Sequence, residues 1–147
     1  MHRWWSDSRT PEQARELALL LPRLFLQYFA RTSLIATDPA DDRPVGFLVG
    51  FHSGDNDADA YIHFVGVDPA RRGTGLGRRL YREFFARAVR AGRRRVAAIT
   101  SPANAGSMAF HRAMGFTIVD SGGPDPLVHK DYDGPGQDRV CFTLDLS

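Results

Sequence analysis

Apolar residues recur along this 147-residue chain with two periods, and the switches between them mark the elements. Leu17, Leu20, Leu21, Leu24, Phe25 and Tyr28 form a helical stripe behind Thr10-Pro11-Glu12-Gln13, where Thr at N-cap, Pro at N1 and Gln at N3 open a helix. Pro22 interrupts the stripe and predicts a kink, or two short helices with Pro22 opening the second. Strand-like runs follow at 33–38, 45–52 and 60–67, separated by a turn at 38–44 and an acidic hairpin loop at 53–59. A second stripe of Leu76, Leu80, Phe84 and Ala88, widened by Tyr81, Phe85 and Val89, predicts a helix that ends near Ala91 with Gly92 at C′. Then come a strand at 95–100, a helix opened by Ser101-Pro102 and capped by Gly115, and strands at 116–120 and 139–146. A Gly/Pro/Asp-rich loop, 121–138, joins the last two strands. This order predicts one α/β domain over residues 1–147, with a mixed, mostly antiparallel central sheet flanked by helices.

The junction between the third strand and the long helix carries the chemistry. Val67 to Leu80 reads VDPARRGTGLGRRL, with Gly73, Gly75 and Gly77 within five positions. Glycine permits a tight turn that exposes backbone N–H groups, and a helix starting there adds unpaired donors and the positive end of its dipole. Such a turn suits a phosphate or pyrophosphate, and Arg71, Arg72, Arg78 and Arg79 add charge. The loop has no lysine for a Walker motif, and its G-x-G-x-G spacing is not the dinucleotide fingerprint.

The run R-x-x-G-x-G from Arg72 to Gly77, preceded by V-x-P at Val67 to Pro69, resembles the GNAT superfamily of N-acetyltransferases. Asn104 to Phe116, NAGSMAFHRAMGF, resembles the later motif of the same family, in the same order. The resemblance covers roughly residues 45–120 and implies the GNAT fold. It also implies acetyl-CoA as co-substrate and transfer of its acetyl group to an amine. By motif position, Val65, Gly66 and Val67 would offer backbone groups to the pantetheine and carbonyl. Arg72, Gly73, Thr74, Gly75, Leu76, Gly77 and Arg78 would hold the pyrophosphate, mainly through main-chain N–H groups. Asn104 would lie against the coenzyme, and Ser107 stands where a small residue is usual. The family usually has a strand before its first helix; here that strand is short or absent, with Trp4 and Trp5 as its remnant or as an apolar patch.

Two positions depart from the family pattern. His111 stands where many members carry a Tyr that acts as acid near the sulfur. An imidazolium of pKa ~6.5 can protonate a thiolate whose thiol pKa is ~8.5; the alternative is a helix-surface His without a role. Tyr61 stands where a Glu is frequent. Tyr61, His63, Val65 and Val67 alternate onto one predicted strand face, so His63 becomes the candidate base with Tyr61 assisting. The alternative for His63 is a core histidine satisfied by a neighbour.

Composition narrows the classes. Residues 71–95 hold ten arginines and one acid, Glu83, giving +9, so the other residues sum to −7 within a net charge of +2. That unevenness favours a local anionic ligand over a nucleic-acid surface, and no aromatic stacking residues pair with the basic segment. The outer arginines of this segment have a simpler alternative as a solvated helix face. No apolar run approaches a membrane span and no signal peptide is visible, which predicts a cytoplasmic protein without a membrane partner. His63, His111 and His129 lack ligand-like spacing, so no metal is expected. Cys141 is the single cysteine and lies in an apolar run, a poor covalent carrier, so direct transfer in a ternary complex is expected. The acceptor class left open is a small-molecule or peptide amine, on a monomer or homodimer. A non-catalytic acetyl-CoA- or CoA-binding sensor is the competing reading.

Overall fold

The computed structural model describes Trp4, residues 10–19, Leu21 and residues 23–147. The expectations for Trp5, for a strand ahead of the first helix, for Leu20 and for Pro22 fall outside those residues. Helix α1 is Pro11–Leu19 and α2 is Arg23–Tyr28. Thr10 caps α1 as its sequence requires: Thr10 Oγ1 accepts the Gln13 N–H at 3.2 Å, and Gln13 Oε1 accepts the Thr10 N–H at 3.0 Å. Six strands follow: β1 Leu34–Thr37, β2 Pro44–His52, β3 Asp59–Val67, β4 Arg95–Thr100, β5 Thr117–Ile118 and β6 Val140–Asp145. Helix α3 is Leu76–Arg90 and α4 is Ala105–Ala113. Gly92 and Gly115 follow these helices at φ 78° and 97°, the left-handed geometry that a glycine stop supplies.

The strands form one sheet in the order β1-β2-β3-β4-β6-β5. Only β3 and β4 run parallel; every other neighbour is antiparallel. One sheet face packs on α3. Leu48, Ile62, Val96, Val140 and Phe142 meet Leu80, Tyr81, Phe84 and Ala88 there, all buried. Gly50 permits this approach, because a Cβ at that position would stand 2.5 Å from the Phe84 ring. The opposite face carries a smaller cluster in which Phe47 and Val49 pack with Trp4, Leu21, Phe25 and Phe64. Of the predicted stripe on α2, Phe25 turns toward the sheet, while Leu24 and Tyr28 are exposed.

β3 and β4 pair over only four positions, Asp59 to Ile62 against Arg95 to Ala98. Beyond Ile62 the strands diverge, and Ile99 and Thr100 pair only with β6. α3 follows the diverging end of β3, and α4 follows that of β4. The split sheet therefore sends both helix N-termini toward the same end of the molecule.

Candidate active site

The turn between β3 and α3 is built from its sequence in short steps. Asp68 accepts the Ala70 N–H at 3.0 Å and starts a 3-10 turn, Pro69–Arg71. Gly73 and Gly75 then adopt φ 75° and 82°. A Cβ at either would meet nothing within 4 Å, so the left-handed backbone alone demands glycine. Gly75 is the N-cap of α3 and offers no side-chain acceptor. The N–H groups of Leu76, Gly77 and Arg78 are consequently without intrahelical partners at the positive end of a 15-residue helix.

The arginines around the turn divide into two groups. Arg71 pairs with Asp38, and Arg72 Nη2 donates to the Trp4 carbonyl at 2.9 Å, so both are held by the protein. Arg78, Arg79 and Arg82 make no ion pair with a described residue. Farther along, Glu83 takes Arg87 at 2.8 Å and Arg90 at 3.7 Å, and Asp59 holds Arg95 through two oxygens at 2.9 Å each. Those outer arginines belong to the solvated surface.

Next to the turn, the β3 edge from His63 to Val67 has left β4 and has no strand partner on that side among the described residues. Its main-chain groups form a row of open donors and acceptors. Asn104 stands across the divergence as N-cap of α4. Its Oδ1 accepts the Ser107 N–H at 3.0 Å, leaving the Nδ2 donors for a ligand. The helix expected from Ser101-Pro102 therefore begins three residues later, where a side chain can close its first turn. Val65 to Val67, Arg72 to Arg78, Asn104 and Ser107 lie along these converging ends.

Tyr61, His63, Val65 and Val67 do not share one face. The β2–β3 register shifts between Val49 and Gly50, which pair with Phe64 and Ile62, so His63 is the extra residue of a bulge. The phase of side chains inverts there. Val65 and Val67 pack with the α3-side core, whereas Phe64 joins the cluster on the other face. Tyr61 and His63 also face away from α3. His63 stacks on Phe25 with ring centroids 4.2 Å apart, and Tyr61 stacks on Phe51 at 5.3 Å. Burial pushes the Tyr61 hydroxyl well above the ordinary tyrosine range, so it keeps its proton and serves as a hydrogen-bonding group.

His111 lies inside the protein rather than on the helix surface. It is 5% exposed and stacked on Phe142 at 4.4 Å. Nδ1 lies 2.8 Å from the Ser107 carbonyl, which only accepts, so Nδ1 carries the proton. Nε2, 2.9 Å from the Tyr81 hydroxyl, then accepts from it. Burial lowers the His111 pKa, consistent with a neutral ring, and the same burial raises that of Tyr81. An imidazolium delivering its proton to a departing thiolate does not correspond to this arrangement: both nitrogens are occupied and the charged form is disfavoured. Instead a continuous path runs from Tyr81 on α3 through His111 to Ser107, and by the Ser107 N–H to Asn104. Tyr81 had no signal of its own in the sequence, being one more ring in an apolar helical stripe.

The profile of a family described as Acetyltransferase (GNAT) family matches residues 1–116. An L-2,4-diaminobutyric acid acetyltransferase of Halalkalibacterium halodurans is 29% identical over 123 residues, 84% of this chain; the chain spans 57% of that relative's length. A crystal structure described as a GNAT-family acetyltransferase from Desulfovibrio desulfuricans superposes with a TM-score of 0.74 at 23% identity, covering 99% of this chain and 90% of that one. The structure of yncA from Salmonella typhimurium, with its cofactor acetyl-CoA, gives a TM-score of 0.61 at 25% identity, covering 83% of this chain and 71% of that one.

Proposed function

The chain belongs to the GNAT acetyltransferase family, and from that premise we propose that it moves an acetyl group from acetyl-CoA to a primary amine by direct transfer in a ternary complex. The observation that carries this reading is the uncapped glycine start of α3 placed beside the open β3 edge. The residues present fit the co-substrate. The amides of Leu76, Gly77 and Arg78 suit its pyrophosphate, with the Gly73–Gly75 turn leaving space around them. The open main chain of Val65 to Val67 suits the amide-bearing pantetheine, and Asn104 Nδ2 supplies a further donor across the divergence.

Bound acetyl-CoA supplies an activated acyl group as a thioester. The protein's own part is to hold, polarise and exclude. Main-chain N–H groups at the bulged strand can polarise a carbonyl placed there without reorganising. His63 is the proposed base: its imidazole accepts an amine proton, through a water, and its ring is fixed flat on Phe25. Tyr61 assists as a neutral donor two residues away. His111 enters as a positioning residue, joining α3 to the Asn104 turn. Cys141 is buried at the sheet, its thiol pushed up by burial, so it is a poor nucleophile and no acyl-enzyme is needed.

The test is release of free thiol from acetyl-CoA over a panel of primary amines, alongside calorimetric titration of the coenzyme. Saturable, amine-dependent release is expected. Coenzyme binding without release on any amine would leave a coenzyme-binding sensor, and absence of binding would remove the cradle assignment.

A further inference from the structure

Two ion pairs cross between the β1–β2 turn and the glycine turn that follows β3. Arg71, in the 3-10 turn after β3, reaches Asp38, just past β1. Arg43, just before β2, stands 3.8 Å from Asp68, just past β3. The Asp38 and Asp68 side chains are only 14% and 11% exposed, so water and salt screen these pairs less than ordinary surface pairs. The Asp68 N–H also donates to the Val45 carbonyl at 2.8 Å, which ties the end of β3 to the start of β2.

Asp38 is engaged through its main chain and both carboxylate oxygens. Its N–H donates to the Arg43 carbonyl at 2.8 Å, and its carbonyl accepts the Asp42 N–H at 2.8 Å. Oδ1 accepts the Ala40 N–H at 2.9 Å, and Oδ2 takes Arg71. The Arg71 main chain is equally set. Its N–H donates to the Asp68 carbonyl at 2.8 Å, and its own carbonyl accepts the Thr74 hydroxyl. Beyond it, Gly73 and Gly75 stand in open space, with nothing packed where a Cβ would lie. Glycine has the most backbone freedom to lose. The aim of their N–H groups therefore depends on how the upstream end of the turn is held.

We infer that Asp38 is a positioning residue for the coenzyme: through Arg71 it fixes the glycine turn against the sheet. The Arg71 guanidinium then serves the protein and not the phosphates. This rests on the coenzyme cradle assigned above. The two roles of Arg71 have opposite signs. As a phosphate ligand it would be released by neutralising Asp38, and the coenzyme would bind tighter. As a tether it lets the turn go, and the coenzyme binds more weakly.

The experiment is calorimetric titration of coenzyme A into the full chain, well below the denaturation midpoint of each variant. Asparagine at position 38 keeps an oxygen for the Ala40 N–H and loses the charge. Asp38→Asn and Arg71→Gln are each expected to raise the Kd about fivefold or more. The double variant is expected to bind no more weakly than either single one, because both break the same link. Asp59→Asn removes a bidentate pair with Arg95 away from the turn, and is expected to keep the Kd within about twofold. An Asp38→Asn protein that binds coenzyme A as well as the wild type or better overturns the inference, even with a lowered denaturation midpoint. So does a double variant whose loss is the product of the two single losses. In either case the cradle stands. Absence of coenzyme binding by the wild type overturns both.

Discussion

Two hydrogen bonds and the stacked ring of Phe142 hold His111 inside the protein. Its place in the second motif was plain from Asn104 and Gly115-Phe116. Its burial was not, because Phe142 lies on a strand 31 positions later. As a positioning residue it makes two predictions. His111→Phe leaves the buried Tyr81 hydroxyl without its acceptor, which costs about 1–3 kcal/mol of stability. The slackened Asn104 turn should raise the KM for acetyl-CoA severalfold, while the pH profile of kcat keeps its shape. Loss of one limb of that profile would restore His111 as the acid. The second prediction concerns pH and stability. Burial keeps the folded ring neutral, whereas the unfolded chain protonates near pH ~6.5. Below that pH the unfolded state binds more protons, so this contribution is complete above it. It fades as pH falls, by up to about 1.4 kcal/mol per pH unit. The stability gap between the wild type and His111→Phe should therefore narrow between roughly pH 7.5 and 5.5, as followed by denaturant unfolding. A constant gap would mean that the fold does not disfavour the charged ring.

At the level of elements, the legible parts were those governed by neighbours in sequence. The Thr10–Gln13 cap, the glycine stops at Gly92 and Gly115 and the extents of β2, β3, β4 and α3 all follow from short-range chemistry. What escaped was set by pairing. Regular alternation put Tyr61, His63, Val65 and Val67 together, but the extra residue against β2 turns half of that set through the sheet. The inversion brings Gly66 under Phe47, where a Cβ would stand 2.4 Å from the ring. Gly66→Ala should thus force Phe47 from its place and destabilise the protein by about 1–3 kcal/mol, measured as a lower denaturation midpoint. An unchanged midpoint would show that Phe47 moves freely and that this face is loosely packed.

Across the whole molecule, the uneven charge seen in the sequence resolves into two groups of arginines. Glu83 and Asp59 tie down Arg87, Arg90 and Arg95, and Arg93 donates to the Ser53 and Asn56 carbonyls. Arg78, Arg79 and Arg82 remain on the first turns of α3. Their attraction for a polyanion is exposed to counterions, which act over about 10 Å at 0.1 M salt. Affinity for acetyl-CoA should fall severalfold between roughly 0.05 and 0.5 M NaCl, and the combined Arg78→Ala, Arg82→Ala variant should flatten that dependence. A slope identical to the wild type's would show that these cations do not feel the phosphates.

The hydrogen bond from Arg72 to the Trp4 carbonyl gives the molecule a reporter of its own. The chain's two tryptophans are adjacent, at positions 4 and 5, and Trp4 rests on Phe47, which in turn covers Gly66. The fluorescence of Trp4 therefore originates at a spot that the Arg72 guanidinium links to the glycine turn. Occupancy of that turn can be followed optically in unlabelled protein, with Arg72→Gln as the variant in which the signal goes quiet.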